Sequence, residues 1–154
     1  MARKITTKRS TVARRIKVFV DTGGWYAVTS ADDRYHIAAV DYYRSFLANG
    51  AILITSDYVL DETLTRLRYD FGHSVAIAFW QSIESAKAIG RIQIVSVDVT
   101  VWNASLEIFT RYSDQKFSFT DCTSFVLAQR EQVDEVFAFD DHFRVFGLNV
   151  MPAV

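Results

Sequence analysis

The stretch Lys17-Val18-Phe19-Val20-Asp21-Thr22-Gly23-Gly24-Trp25-Tyr26 joins a short apolar segment directly to an acid. Lys17 to Val20 shows no alternation of apolar and polar residues, the pattern of a strand covered on both faces in a parallel α/β sheet. Asp21 then stands at the strand's carboxyl end, the edge at which open α/β sheets bind their ligands. Gly23 and Gly24 permit a sharp turn or a close approach to another group. Asp21 is therefore the first candidate for chemistry. The plain alternative is an aspartate that caps the next helix.

Outward from this stretch, strands alternate with helical segments. A short helix is expected over Trp25–Val28 and a longer one over Tyr35–Leu47, where Ile37, Val40, Tyr43, Phe46 and Leu47 fall at helical spacing. Asn49-Gly50 stops it, and Ala51–Thr55 reads as a second buried strand. Ser56 or Asp57 caps a helix with an apolar stripe of Leu60, Leu64, Leu67 and Phe71. Gly72 closes that helix, and Ser74–Ile89 forms the next. A strand over Ile92–Val97, helices over Val99–Tyr112 and Thr120–Gln132, a fourth strand over Glu135–Phe139 and a short last one at Asn149–Met151 complete the chain. The alternation predicts a three-layer α/β/α sandwich on a mostly parallel sheet of four or five strands, joined by right-handed crossovers.

The totals agree with one folded domain. The chain has 154 residues, half of them hydrophobic and 14% aromatic, far too apolar for a disordered chain. No apolar run approaches the roughly 18 residues of a membrane span, and no apolar segment of a secretory signal follows the basic start. Cys122 is the single cysteine, so no internal disulfide forms, and a reducing cytoplasm is the expected compartment. Seven of the seventeen basic residues lie within residues 1–17, which contain no acid; ten basic residues then face eighteen acidic ones in the body. Residues 1–16 read as a flexible basic arm, either able to hold phosphates non-specifically or inert, and 17–154 as the folded domain.

Four acids share one predicted edge. Asp21 and Asp140 follow the first and fourth strands, Asp121 lies in the opening turn of a helix, and Glu62 lies early in the helix after the second strand. Gathered carboxylates repel, which raises their pKa values unless a cation neutralises them. Hard oxygen donors without a Cys or His cluster select Mg²⁺ or Mn²⁺. His36, His73 and His142 have no zinc-type spacing.

Val20-Asp21-Thr22-Gly23-Gly24-Trp25, Glu62 within Val59-Leu60-Asp61-Glu62-Thr63-Leu64, Asp121 within Ser118-Phe119-Thr120-Asp121-Cys122, and Asp140 within Phe137-Ala138-Phe139-Asp140-Asp141-His142-Phe143 together resemble the PIN domain. In particular the chain resembles the small PIN-domain ribonucleases of the VapC toxin type, from about Val18 to Val150. Each motif alone is widespread; the set of four is much more specific. The resemblance implies a metal-dependent endoribonuclease that hydrolyses RNA phosphodiesters as the toxin of a toxin–antitoxin pair. It implies an antitoxin partner and a homodimer. Asp21, Glu62, Asp121 and Asp140 match the family's acids, with Mg²⁺ or Mn²⁺ held by them and Glu62 acting directly or through water. The pattern favours Glu62 over Asp61, and Asp140 over Asp141. Thr22 matches the hydroxyl that orients a carboxylate or a water of the metal. His142 takes a position often histidine or acidic in relatives, its plain reading being an exposed residue at a helix start. Arg66, Arg68, Lys116 and Arg144 are candidates for holding phosphates.

Rival readings differ at single positions. A receiver-type phosphoacceptor needs an acidic pair at the first strand, and Asp32-Asp33 lie too far from it. A haloacid-dehalogenase-type phosphatase needs a second Asp two residues after Asp21, where Gly23 stands. A solitary RNA-processing nuclease, and a non-catalytic PIN-like module that binds RNA or protein, both stay open. The apolar load of the helices, from Tyr42, Tyr43, Phe46, Tyr58, Tyr69, Phe71, Phe79 and Trp80, suggests a partner surface if the sheet leaves it exposed.

Overall fold

The computed structural model describes residues 13–154; most of the basic arm, residues 1–12, lies outside the described residues. Among the described residues the chain forms five strands and six α-helices. The strands are β1 (Lys17–Val20), β2 (Ile52–Ser56), β3 (Ile92–Val95), β4 (Glu135–Phe137) and β5 (Val150–Met151). All four strand pairings are parallel, in the order β3-β2-β1-β4-β5. The helices are α1 (Thr22–Thr29), α2 (His36–Ala48), α3 (Asp57–Phe71), α4 (His73–Ala88), α5 (Val99–Arg111) and α6 (Phe119–Arg130), and they flank the sheet. The predicted α/β/α sandwich is the observed one, with a sheet that is parallel throughout.

β1 lies at the centre of the sheet because nothing on it needs water. Val18, Phe19 and Val20 are fully buried, as are Leu53 and Ile54 on β2 and Val136 and Phe137 on β4, to within 1%. Each crossover returns to the sheet through a helix whose start is written locally. The Ser56 side chain accepts from the Val59 N–H, and Asp98 accepts from the Val101 N–H, each satisfying an orphan donor of the first turn. Ser118 and Asp121 form a capping box at the start of α6. Gly72, at φ +91°, ends α3 and lets α4 begin at once.

Three local expectations change. Gly23 and Gly24 make no turn; they lie inside α1. Gly24 serves the close approach instead, since a Cβ there would stand 2.6 Å from the Phe137 carbonyl oxygen of β4. β4 ends at Phe137, so Asp140 sits three residues beyond it rather than directly after it. The aromatics of α2–α4 are mainly core: Phe46 and Phe79 are buried, and Tyr42, Tyr43 and Trp80 pack against the core. Tyr69 and Phe71 alone of that set are exposed among the large hydrophobics. The outward apolar stripe is on α5 instead, where Val99, Trp102, Leu106 and Phe109 share one exposed face.

What is described of the arm's end is held at the bottom of the sheet. Arg14 pairs with Asp134, whose other oxygen accepts from the Lys17 backbone N–H.

Candidate active site

Strand order reverses between β1 and β4: β2 and β3 lie on one side of β1, β4 and β5 on the other. The crevice outside the carboxyl ends at such a reversal is where α/β sheets place ligands. Asp21 and Asp140 come from the two strands that frame it. The Asp21 N–H donates to the Phe137 carbonyl, which locks the two strand ends together at 3.1 Å.

Asp21 occupies the N-cap position of α1, yet its side chain makes no capping hydrogen bond. A cap would have been the ordinary use of an aspartate there. Asp21 is instead only 4% exposed as a residue, and its pKa is raised well above the usual carboxylate range. Burial is the largest cause, followed by the charges of Asp121 and Asp140, with Glu62 contributing less; the Thr22 backbone N–H opposes them.

The other acids are positioned from three further elements. On α3, Glu62 Oε2 accepts from the Thr22 hydroxyl at 3.1 Å. The Glu62 residue is exposed along its length, but its carboxyl end is desolvated enough to raise its pKa, and Asp121 adds to this. On α6, Asp121 Oδ2 accepts from the Ser118 N–H at 2.8 Å and lies 3.2 Å from His142 Nδ1. Beyond β4, Asp140 Oδ1 accepts from the His142 N–H at 3.0 Å, with the His142 ring 3.7 Å away. Burial raises the Asp140 pKa; the His142 backbone bond and charge pull it down, and Asp121 pushes it up. Asp141 turns outward to Arg144 at 3.0 Å.

Of the basic candidates, Arg66 lines a recess that Asp140 also lines, and its charge lowers the Glu62 pKa. Arg144 lines a second recess at Asp140. Arg68 reaches the His73 ring at 2.7 Å and belongs to the α3–α4 corner. Lys116 is exposed in the loop before α6 and forms no ion pair among the described residues. His142 is not merely a surface residue: it is half-buried, touches two of the acids and packs edge-on against Phe117 at 5.1 Å. Sequence reading missed Tyr26, Arg34 and Tyr35, which line the first recess beside Asp140.

The donor set fits a hard divalent cation. Asp21 is buried among like charges, and carboxylate oxygens are the chemistry that Mg²⁺ and Mn²⁺ prefer. Among the described residues no three or more His, Cys, Asp or Glu side chains already stand at ligand separation.

An all-parallel α/β/α domain with acids gathered at its topological switch point is a recognisable class. A PIN domain family profile matches residues 18–147, and the chain belongs to the PIN domain family, among its VapC-type members. It is 30% identical over 130 residues to the 23S rRNA-specific endonuclease VapC20 of Mycobacterium tuberculosis, spanning 84% of this chain and 94% of that protein. The crystal structure of VapC20 matches with a TM-score of 0.74 over 85% of this chain and 95% of that one, at 28% identity. A VapC ribonuclease of Archaeoglobus fulgidus is 27% identical over 126 residues, 80% of this chain and 77% of that protein. VapBC2 of Rickettsia felis, bound to a promoter DNA fragment, shares the fold at a TM-score of 0.65 and 12% identity, covering 88% of this chain and 98% of that one.

Proposed function

We propose that this chain is a divalent-metal-dependent endoribonuclease and the toxin of a toxin–antitoxin pair. The observation that carries the reading is Asp21: a buried carboxylate in a capping position, unused as a cap, surrounded by three acids at the switch point. A structural aspartate would be capped, paired or exposed.

In this reading Asp21, Asp121 and Asp140 hold Mg²⁺ or Mn²⁺, with Glu62 ligating directly or through water. The ion supplies Lewis acidity and the positive charge that the carboxylates lack. Thr22 orients Glu62 through its hydroxyl, while the Ser118 and His142 N–H groups fix Asp121 and Asp140. Arg66 and Arg144, on either side of Asp140, hold the RNA backbone. Hydrolysis by in-line attack of water leaves a 5′-phosphate and a 3′-hydroxyl, and 23S rRNA, the substrate in the name of the relative VapC20, is the first RNA to test.

No helix among the described residues is long and apolar enough to cross a membrane. In this reading the enzyme meets its RNA in the cytoplasm. A second copy of the chain covers the outward stripe of α5, an apolar face continuous with Tyr58 and Phe119 through Trp102. Leu106→Glu should therefore convert a dimer to a monomer in light scattering; a wild type that is already monomeric discards this interface. An antitoxin encoded beside the gene inhibits by covering the acids with a basic side chain.

Metal-dependent cleavage of mixed RNA, with Asp21→Asn as the control, tests the enzyme. Toxicity on expression that the neighbouring small reading frame relieves tests the toxin. Cleavage without toxicity would leave a solitary PIN nuclease, and RNA binding without cleavage a non-catalytic module.

A further inference from the structure

Beside Asp140 the surface sinks into a recess of about 280 Å³, near the lower end of small-ligand clefts. Four parts of the chain wall it: α1 through Tyr26, the loop before α2 through Asp33, Arg34 and Tyr35, α3 through Arg66, and the segment after β4 through Phe139 and Asp140.

Its two arginines are seated on rings. The Tyr35 ring stacks on Phe139 with centroids 4.6 Å apart and planes 6° from parallel. The Arg34 guanidinium lies 4.5 Å from the Tyr35 centroid, and because Phe139 covers one face of that ring, Arg34 takes the other. The result is a three-layer pile, Phe139–Tyr35–Arg34, whose start is fixed by the Tyr35 N–H donating to Asp33 at 2.8 Å. Across the recess the Arg66 guanidinium lies 3.8 Å from the Tyr26 centroid, and the Tyr26 hydroxyl donates to Asp70 at 2.7 Å. Among the described residues Arg34 has no carboxylate partner, and Arg66 has only Asp70 at 4.0 Å.

Both guanidinium groups are thus seated over rings rather than bound tightly to carboxylates, which leaves N–H groups for an anion and, on Arg34, a planar group on which another π-system can stack. A flat face and anion donors within one small recess match one nucleotide: guanidinium planes and aromatic rings stack splayed-out bases, and Arg edges bind phosphates. Asp33 and Asp140 line the recess as well, and Asp33 is engaged by the Tyr35 N–H, so the groups left free to bind on the Arg34 and Arg66 side are anion donors. A smaller recess of about 130 Å³ shares Tyr35, Phe139 and Asp140 and adds Arg144, so the groove continues past the acid.

We infer that this recess is a nucleotide subsite of the RNA channel, in which the base next to the cleaved linkage stacks on the Arg34–Tyr35–Phe139 pile and Arg66 holds its phosphate. The identity of the ligand as RNA rests on the ribonuclease reading above. Stacking demands an unpaired base, so the substrate presents a loop or a single strand at this position.

The test is equilibrium binding of a fluorescein-labelled single-stranded hexaribonucleotide to the full chain in EDTA, where nothing is cleaved. RNA cleavage by the wild type in Mg²⁺ and Mn²⁺ is measured alongside. Arg34→Ala, a surface change, should weaken binding about 5- to 150-fold, the range for loss of one base-stacking partner. Arg34→Lys keeps the charge and loses the plane, so it should recover only a minor part of that affinity. A series of hexamers carrying one abasic residue should contain a position at which Arg34→Ala no longer matters. Equal binding by wild type and Arg34→Ala, or full recovery in Arg34→Lys, overturns the subsite; persisting wild-type cleavage would then leave the ribonuclease reading standing. Arg34-dependent binding with no cleavage in either metal supports the subsite and sinks the ribonuclease. If Arg34→Ala spares RNA binding but breaks a complex with the co-expressed neighbouring protein, the recess is a protein site and the inference is overturned.

Discussion

The two halves of the acidic cluster are held in opposite ways. On the α6 side, Asp121 and Asp140 are each tied by a backbone N–H, from Ser118 and from His142, and the His142 ring stands near both. On the β1 side, Asp21 is buried with no capping bond, and the charges of Asp121, Asp140 and Glu62 act on it with only the Thr22 N–H in opposition. The tied half is positioned by the protein itself. The untied half carries uncompensated charge, which is where a bound cation contributes most. Asp21 is thus the acid whose removal should separate activity from stability most sharply.

The largest expected effect follows. Asp21→Asn keeps the volume and removes a proposed metal ligand, so metal-dependent cleavage should fall by about 10³-fold or more while the fold persists in circular dichroism. Cleavage at the wild-type rate would show that the untied half is not the metal's seat.

Thr22 links the untied half to α3 through its bond to Glu62. Its loss should cost about 10- to 100-fold in metal affinity or activity, as for groups that orient a ligand. Thr22→Ser keeps the hydroxyl and should be nearly silent, whereas Thr22→Val should be damaging. Similar losses in both, read from metal titrations of cleavage, would assign Thr22 to packing, since it is itself buried.

The same contrast sets how much was legible in the sequence. β1 and Asp21 were readable because an unbroken apolar run ending in an acid is a local pattern, and the parallel sheet follows from the alternation of strands with helices, though its strand order does not. The tethers of the other half are local as well, but only the capping function of Ser118 with Asp121 has a sequence signature. That His142 turns back onto Asp121, 21 residues earlier, depends on how the corner after β4 packs against Phe117. The end of β4 was overestimated because Ala138 and Phe139 are apolar; Ala138 is buried, but Phe139 leaves the ladder to stack on Tyr35. The Arg34–Tyr35 pile was invisible for the same reason: its partner lies more than a hundred residues away. The aromatic load was misassigned because periodicity reports an apolar face without saying whether a neighbour covers it. α5 carries two such faces, and only the one with Val101 and Ser105 is buried.

The smallest effects should be those on the stability of the metal-free chain, and here the two halves should differ in sign. The native state holds the Asp21 pKa above its unfolded value of about 3.9, so between that value and the native one the folded chain binds more protons than the unfolded chain. Stability from this group is therefore greatest at low pH and declines as pH rises through that window. At neutral pH Asp21→Asn removes the burden, and in EDTA the variant should melt at the same temperature as wild type or higher. Asp121→Asn relieves one repelling neighbour of Asp21, but it also loses a carboxylate that accepts the Ser118 N–H in the capping box and sits at the positive end of α6, and the loss should outweigh the gain. Replacing that charged acceptor by an amide should cost about 0.5–1.5 kcal/mol. Asp98 and Asp134, whose pKa values are lowered chiefly by backbone N–H groups of Val101 and Lys17, lose their contributions as pH falls through their depressed native values. They are common to wild type and variants, so the difference in melting temperature between wild type and Asp21→Asn isolates Asp21. That difference should shrink as pH falls from 7 toward the unfolded carboxylate range, and reverse when saturating Mg²⁺ is added, because the ion favours the ionised form in the wild type. A difference independent of pH in EDTA would mean that Asp21 is held by packing and not strained by charge, and the contrast between the two halves would collapse.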